Sequence, residues 1–198
     1  MKLSMSKVSD FIIEPVPRSA IQSFVHKWHY SHDTNGVQQT QCFALFDNNR
    51  MIGAMIYALP SMKSTAAKYN PDNPDRCWEL RRLCCIDDTP TNTESYFIGQ
   101  TLRWIKQNTD VEVVVSYSDL EQGHEGVIYK ASNFHYLGQT GGGTKLSVDG
   151  VLRHNRSLNQ SKRQIENYEF SVSHEKEYLI ARLHYPVEYL ASLDIDVE

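Results

Sequence analysis

The stretch ELRRLCCIDDTPTNTESYFIGQTLRWI, residues 79–105, decides the fold, because a strand pattern passes directly into a helix pattern. The apolar residues from Cys77 to Asp87 predict one long strand. Thr91 and Glu94 have the spacing of a capping box at the start of the helix that follows. The helix carries a buried stripe at helical spacing, made of Phe97, Ile98, Thr101, Leu102 and Ile105. A strand that leads into an amphipathic helix predicts an α/β arrangement.

The residues before this stretch predict one helix and one hairpin. Apolar residues recur at helical spacing over residues 18–30. QCFALFD at 41–47 and RMIGAMIYALP at 50–60 have strand patterns and are joined by a short Asp-Asn-Asn-Arg turn, which is typical of a β-hairpin. Residues 61–76 are rich in Ser, Lys, Asn, Asp and Pro and predict a loop.

The residues after it complete a mixed sheet. VEVVVSYSD at 111–119 is the pattern of a strand buried on both faces. A short helix over 125–133, a strand over 133–138 and a glycine-rich loop follow, whereas the C-terminal residues give no assignable pattern. The order of elements predicts an α/β fold with a mixed central sheet flanked by helices, in one domain that spans residues 1–198.

The composition favours one soluble domain. With 198 residues and 40% hydrophobic content, the chain can bury one substantial core. No stretch approaches the run of about 20 apolar residues that a membrane helix needs, so we expect a cytoplasmic protein that does not bind membranes. The cysteines lack the spacing of a zinc or redox motif and are expected to be reduced, and adjacent Cys84 and Cys85 are expected to pack in the core.

Charge is distributed unevenly along the chain. The net charge of −4 argues against a protein that coats nucleic acid through bulk positive charge. Residues 145–163 nevertheless carry a net charge of +4, and the tail 164–198 carries −6. The basic segment can dock a phosphate backbone locally, although a solvated loop beside a solvated tail is the simpler interpretation from charge alone. The candidate DNA contacts are Arg153, Arg156, Lys162 and Arg163.

The order of elements resembles the GNAT acyltransferase fold, in which a central strand leads into a helix whose first turn binds the pyrophosphate of acetyl-coenzyme A. The corresponding turn here, residues 87–94, has no glycine and carries Asp87, Asp88 and Glu94. Backbone amides at a helix start attract anions, but acidic side chains repel them. An acetyl-coenzyme A enzyme is therefore disfavoured.

Three strings resemble a narrower family. KWHYSH at 27–32, residues 79–105, and VVVSYSDLEQGHEGVIYKASNFHYLG at 113–138 are similar to the Mom family of phage DNA-modification proteins. The resemblance covers most of residues 20–140 and is less clear beyond them. It implies a GNAT-like fold that converts adenine in double-stranded DNA to N6-carbamoylmethyladenine, protects phage DNA from host restriction in the host cytoplasm, and holds an iron ion.

The resemblance assigns candidate metal ligands. An imidazole nitrogen together with carboxylate and phenolate oxygens suits iron, and the WHY string places His29 and Tyr30 at the end of a helix. Asp119 follows a rigid buried strand and is the strongest candidate. His26 and His32 stay open as alternatives to His29. Each residue also has a structural interpretation: Asp119 as a turn cap, His29 at the negative end of a helix dipole, and Tyr30 as a half-buried aromatic.

The candidate catalytic residues are Glu94, Arg81, Arg82, Tyr129 and Ser116. Glu94 is a ligand or general base, and the alternative is the capping box. Arg81 and Arg82 are adjacent in a strand, so we expect them to face opposite sides; the inward one needs an anionic substrate group, a DNA phosphate or Glu94, and the alternative is an ion pair with Glu79. Tyr129 can stack on a base or pack in the core.

The proposed chemistry has requirements that the sequence meets only in part. Adenine N6 is hidden in a duplex, so the base must be flipped into a pocket, and its weakly nucleophilic amine needs a base and an activated donor. Neither GxGxxG nor GxxxxGK occurs, and the donor stays unknown. The alternatives are a GNAT-type N-acetyltransferase of a small amine or protein, and a GNAT-like protein that binds a nucleotide or partner without chemistry. A homodimer is also left open.

Overall fold

A computed structural model of the chain describes residues 6–34, 41–119, 126–139, 143–148, 151–154, 169–173 and 176–182. The elements in these residues are, in order, β1 (Ile12–Val16), α1 (Arg18–Trp28), β2 (Gln41–Asp47), β3 (Arg50–Ala58), α2 (Lys63–Tyr69), β4 (Cys77–Cys85), α3 (Thr93–Asn108), β5 (Val113–Asp119), α4 (Val127–Lys130), β6 (His135–Gln139), β7 (Gly143–Val148), β8 (Val151–His154), β9 (Glu169–Ser173) and β10 (Lys176–Arg182). Single 3-10 turns lie at Val8–Asp10 and Pro74–Arg76.

Seven strands form one mixed sheet in the order β1-β2-β3-β4-β5-β10-β6. Neighbouring strands are antiparallel, with one exception: β4 and β5 are parallel. A parallel pair needs a crossover connection, and α3 provides it. The predicted α/β fold with a mixed sheet flanked by helices is confirmed. Strands β8, β7 and β9 form a second, three-stranded sheet.

Helices cover both faces of the central strands. On one face, α1 packs Ile21 and Val25 into a cluster that contains Ile56 of β3. On the other face, α3 packs Phe97 into a cluster that contains Tyr57, the next residue of β3. Because successive side chains of a strand point to opposite faces, the near-continuous apolar run of β3 supplies both cores.

The β2–β3 hairpin forms as predicted. Asn48 and Asn49 have positive φ values of 47° and 64°, and these two residues connect the strands. Positive φ at both central positions defines a type I′ turn, whose twist matches that of the flanking strands. Asparagine tolerates this conformation better than most residues because its short side chain can bond to nearby backbone.

Three expectations about the elements need correction. Residues 61–76 are not a plain loop, because they contain α2, whose Ala66 and Tyr69 pack with Cys77 at the start of β4. The helix predicted over 125–133 is the single turn α4 in the described residues. The C-terminal residues without an assignable pattern supply β9 and β10, and β10 lies inside the main sheet. None of the helices in the described part of the chain is long and apolar enough to cross a bilayer.

Candidate active site

A gap opens in the main sheet where β4 and β5 part. Their parallel pairing runs from Cys77–Val113 to Leu80–Ser116 and goes no further, although β4 continues to Cys85. Two strands that diverge within one sheet leave space between their ends, and in α/β sheets such openings are where ligands bind. The gap therefore positions the candidate site at the C-terminal ends of β4 and β5.

A cavity of about 410 Å³ fills this gap. Its size is within the range of small-molecule pockets. Four parts of the chain line it: the end of α1, the second half of β4, the start of α3, and the segment from β5 to α4. The lining residues that the sequence singled out as site candidates are His29, Tyr30, Arg81, Arg82, Glu94 and Tyr129. The fold thus brings together side chains that are 100 residues apart in sequence.

His29 lies at the α1 end of the cavity. The helix ends at Trp28, and His29 has an extended backbone and a side chain that is buried. The backbone N–H of Ser31 donates to Nδ1 of His29 at 3.1 Å, and the Ser31 hydroxyl lies 2.8 Å from the same nitrogen. A ring nitrogen that accepts an N–H carries no proton, so the neutral ring has its proton on Nε2.

The two other candidate histidines lie elsewhere. His26 and His32 are both exposed, and neither lines the cavity. The backbone of His32 has a positive φ of 47°, and its Nδ1 lies 2.8 Å from the carbonyl oxygen of His26. Of the three histidines, His29 is the one that contacts the cavity.

The described residues alone do not complete an iron centre. A histidine that binds metal through Nε2 ordinarily keeps a proton on Nδ1 and donates it to a neighbour, whereas Nδ1 of His29 accepts the N–H of Ser31. The rings of His29 and Tyr30 stack, with centroids 4.4 Å apart. Within the described residues, no three His, Cys, Asp or Glu side chains form a group that could hold a metal. The iron site stays a prediction, which depends on the side chain of Asp119.

Glu94 lies in the first turn of α3 and lines the cavity. The predicted capping box is wrong: Asn92 is the N-cap, in a left-handed conformation with φ 70°, and no side chain caps the helix. The hydroxyl of Thr93 bonds backward to the carbonyl oxygen of Pro90 at 2.7 Å. Glu94 therefore has no capping role, and no hydrogen bond or ion pair engages its carboxylate in the described part of the chain.

Tyr129 lies on α4 and also lines the cavity. Burial raises the pKa of its phenol above the ordinary value, and the contact with the Ser116 hydroxyl opposes this shift. Its ring packs against Phe134 at 5.4 Å between centroids. Ser116 is fully buried and donates to the Leu80 carbonyl oxygen at 3.4 Å, across the last β4–β5 pair. The Tyr129 phenol is therefore neutral at ordinary pH, and its ring is held in place by packing against Phe134.

Strand β4 has a bulge at Arg81. The register against β3 passes from Tyr57–Leu80 to Ile56–Arg82, so Arg81 has no partner residue on β3. A bulge breaks the alternation of side chains and redirects them. The residue pattern of β4 carries no signal for this bulge.

The bulge places both arginines on one side of the sheet. Arg81 bonds to both carboxylate oxygens of Glu79 at 3.2 Å, and Glu79 is paired with Ala58 on the face that α1 covers. The Nε–H of Arg82 donates to the carbonyl oxygen of Asp33, in the segment after α1, at 3.1 Å. The prediction that the two arginines face opposite sides is wrong, and the alternative ion pair with Glu79 is present for Arg81.

Cys84 and Cys85 pack with the two core clusters, as expected. Both residues also line the cavity. Burial raises the pKa of the Cys84 thiol to about 12, and burial together with the charge of Glu94 raises the pKa of Cys85 further. Both thiols are protonated at ordinary pH and are poor nucleophiles. Tyr117 and Ser118 also line the cavity. Ser118 was not singled out, because only the end of the β4–β5 pairing reveals its position.

Several predicted site residues lie outside the described structure. The backbone of Asp119 ends β5 and pairs with Lys176 of β10, but its side chain is beyond the described part. Arg153 lies in β8, and its side chain is likewise not described. Arg156, Lys162 and Arg163 fall outside the described residues altogether, so their roles stay predictions.

Solved structures with a similar fold include acetyltransferases. The spermidine/spermine N-acetyltransferase SpeG from Vibrio cholerae superposes with a TM-score of 0.53 and 10% identity, over 93% of this chain and 98% of that one. An acetyltransferase from Bacillus subtilis, solved with CoA, gives a TM-score of 0.54 and 8% identity, over 88% of this chain and 100% of the other. The chain therefore has a GNAT-like fold, as predicted. Identities this low show the fold alone.

The sequence is more specific than the fold. The profile of the Mom protein family matches residues 10–186, and the chain belongs to that family. The match extends well past residue 140, to which the resemblance had been assigned. Over 86 residues, or 43% of this chain, the sequence is 38% identical to the methylcarbamoylase Mom of Escherichia phage Mu. The aligned part is 35% of that relative, so the chain matches about a third of its length.

Proposed function

We propose that the chain is a DNA-modifying enzyme that converts adenine in double-stranded DNA to N6-carbamoylmethyladenine. Membership of the Mom family and the similarity to a phage methylcarbamoylase support the reaction class. The observation that carries the proposal is the cavity between β4 and β5, where a carboxylate and tyrosines meet. Modified adenine would protect phage DNA from restriction in the host cell.

The mouth of the cavity suits a base that has left the duplex. Tyr30 is 46% exposed and Val127 is 65% exposed, and both line the opening. Large apolar side chains at a cavity rim are costly unless something covers them. A flipped adenine has two apolar faces and needs a pocket in which it can stack, at a cost of a few kcal/mol for leaving the duplex. Tyr30 and Tyr117 offer the stacking surfaces.

The interior supplies a group that removes a proton. When a bond forms between adenine N6 and the carbon of the transferred group, the bond from that carbon to the rest of the donor breaks, the leaving group departs with the electron pair, and N6 loses a proton that a base must accept. The Glu94 carboxylate is the described acidic group that lines the cavity without an ion-pair partner among the described residues. The buried Tyr129 phenol keeps its own proton and donates a hydrogen bond, because burial raises its pKa. Glu94 is thus the general base, and Tyr129 orients the substrate.

Iron and the DNA-binding residues belong to the same proposal. Iron would act as a Lewis acid or redox centre, and no step of the present scheme passes through it. Elemental analysis of purified protein measures the metal directly. Double-stranded DNA is the proposed partner, and the basic segment 145–163 is its proposed contact.

Nucleoside analysis tests the proposal. Plasmid DNA from cells that express the chain is digested and examined by mass spectrometry for a deoxyadenosine that carries one carbamoylmethyl group. Glu94→Gln should lower the modified fraction by about 10²- to 10⁴-fold, the range for loss of a general base. Glu14→Gln, an exposed carboxylate on β1, is the matched control and should leave it unchanged.

Two results would count against the proposal. Wild-type modification by the Glu94→Gln variant would remove Glu94 from the reaction. Unmodified DNA, together with acetyl transfer from acetyl-coenzyme A to a small amine or a protein, would replace the proposal with the acetyltransferase alternative.

A further inference from the structure

Arg82 brings to the cavity a positive charge that has no ion-pair partner among the described residues. It lines the cavity, and its guanidinium is largely removed from solvent. Its two hydrogen bonds go to neutral acceptors: Nε to the carbonyl oxygen of Asp33 at 3.1 Å, and one terminal nitrogen to that of Arg81 at 2.8 Å. In the described part of the chain, no carboxylate lies within ion-pair distance of Arg82.

The guanidinium has donors to spare. It carries five N–H groups in a planar fork, and the two hydrogen bonds use two of them. At least one N–H on each terminal side remains, which is enough for a two-point contact with a planar oxyanion. Burial and the charge of Arg81 both lower the pKa of Arg82, so its surroundings disfavour the charge they enclose.

The neighbouring Arg81 has the ion pair that Arg82 lacks among the described residues. The charge of Arg81 is matched by Glu79, and both side chains are largely buried, with 15% and 11% of their surfaces exposed. Even so, the Nε–H of Arg81 is buried and meets no acceptor among the described residues. Unsatisfied buried donors are rare in folded proteins and need an explanation. Arg81 therefore has one buried donor without an acceptor, next to the spare donors of Arg82 in the lining of the same cavity, and an anion would provide acceptors for them.

We propose that Arg82 binds an oxyanion, a carboxylate or a phosphate, of the small molecule that donates the transferred group. That this molecule is a group donor rests on the proposed function, but the anion site itself does not. An arginine held by backbone carbonyls keeps its orientation before the ligand arrives, so binding costs little additional ordering. Arg82 is then a binding residue that fixes one end of the donor in the cavity that Glu94 also lines.

A DNA phosphate is the less favoured source of this anion. A flipped base enters a pocket while the phosphates that flank it stay at the surface. Arg82 lies inside the cavity, on a strand whose next residues, Leu83 and Cys84, belong to the wall and the core. An anion that reaches Arg82 must therefore enter the cavity, which favours a small molecule.

The test measures anion binding without DNA. The melting temperature of the full chain is followed as phosphate or acetate replaces chloride at constant ionic strength. A ligand that binds the folded state raises the melting temperature in a saturable manner. We expect a saturable rise with at least one of the two anions, and the anion that works identifies the chemical group.

Three variants make the test specific. Arg82→Gln should weaken anion binding about tenfold or more, because it removes the charge and the fork. Arg82→Lys keeps the charge but loses the planar geometry, and should fall between the wild type and Arg82→Gln. Arg50→Gln, an exposed arginine at the β2–β3 hairpin, is the matched control and should bind like the wild type.

The outcomes separate this inference from the proposed function. Equal anion affinity in Arg82→Gln and the wild type, or no saturable effect in the wild type, overturns the anion site. If Arg82→Gln does not fold, wild-type affinity in Arg82→Lys overturns it instead. A drop of about 0.9 in the log–log salt slope of DNA binding in Arg82→Gln would assign Arg82 to a DNA phosphate and overturn the inference. Anion binding by a protein that leaves DNA unmodified would refute the proposed function and keep the site.

Discussion

Strand β4 has two different edges. Along β3 it is paired from Glu79 to Cys85, and along β5 only from Cys77 to Leu80. The first edge is closed and lies among fully buried residues such as Ile56 and Tyr57. The second edge opens into the cavity. The comparison shows that one strand can contribute both to the core and to the candidate site. Whether a segment of β4 belongs to one or the other depends on whether a neighbouring strand pairs with it.

Helix α3 also contributes one residue to the core and one to the cavity, and two substitutions test whether these residues differ in their effect on stability. Phe97 is fully buried, and Glu94 lies one turn earlier at the cavity. Phe97→Ala should lower the free energy of unfolding by about 3–5 kcal/mol, because it leaves a void in the core. Glu94→Gln should change it by no more than about 0.5 kcal/mol. Urea unfolding of both variants measures the two values.

One result would contradict this prediction. If Glu94→Gln destabilises the chain as much as Phe97→Ala does, the carboxylate has a structural role and the two parts of α3 do not differ.

A pH titration sharpens the comparison along β4. Burial raises the pKa of Cys77 and Cys84 to about 12, whereas a thiol in the unfolded chain titrates near 8.5. Above about pH 9 the unfolded state loses these protons and the folded state keeps them, so stability is complete below that pH and falls as pH rises. Each thiol contributes a slope of about −1.4 kcal/mol per pH unit up to its folded pKa.

Urea unfolding at several pH values in reducing buffer measures the slope. Cys84→Ala should make it shallower by the contribution of one thiol. If the slope of stability against pH is the same in Cys84→Ala and the wild type, the Cys84 thiol ionises in the folded protein as easily as in the unfolded chain. The edge of β4 that pairs with β3 would then be accessible to water.

The smallest expected effect concerns the basic segment, away from β4. If Arg153 and Arg156 each contact a phosphate, replacing both by alanine should reduce the log–log salt slope of DNA binding by about 1.8, or 0.9 for each contact. The loss should be nearly uniform across DNA sequences, because phosphate contacts carry no sequence information. Salt titrations of the wild type and the double variant decide it, and equal slopes would exclude this pair from the DNA contacts.

The elements that the sequence predicted well are those with strong periodicity. The stripe from Phe97 to Ile105 and the β-branched run at the start of β5 each fix one element, because burial on a defined face requires that pattern. The hairpin followed from two asparagines between apolar runs. Helix α2 was missed because it is short and polar on its exposed side, and its buried residues are Thr65, Ala66 and Tyr69, of which one is polar.

The sequence named several side chains that line the cavity, but it did not predict their arrangement. His29, Tyr30, Glu94 and Tyr129 all line this one cavity, whereas their roles stay predictions. The directions of Arg81 and Arg82 could not be predicted, because the bulge depends on how β4 pairs with β3 and not on the residues of β4 alone. The capping box failed for a similar reason: Asn92 adopts a left-handed conformation and takes the N-cap position.

Strand β10 comes from the last part of the chain yet lies between β5 and β6. During synthesis, the strand that ends the cavity wall is therefore made more than fifty residues before its second neighbour, Lys176–Arg182, leaves the ribosome. Until then β5, whose valines are fully buried in the finished sheet, has an unpaired edge, and such an edge is a template for pairing with other chains. The sheet that supports the site can close only after Lys176–Arg182 has been synthesised, so we expect a chain truncated within the basic segment to expose this edge and to be prone to aggregation.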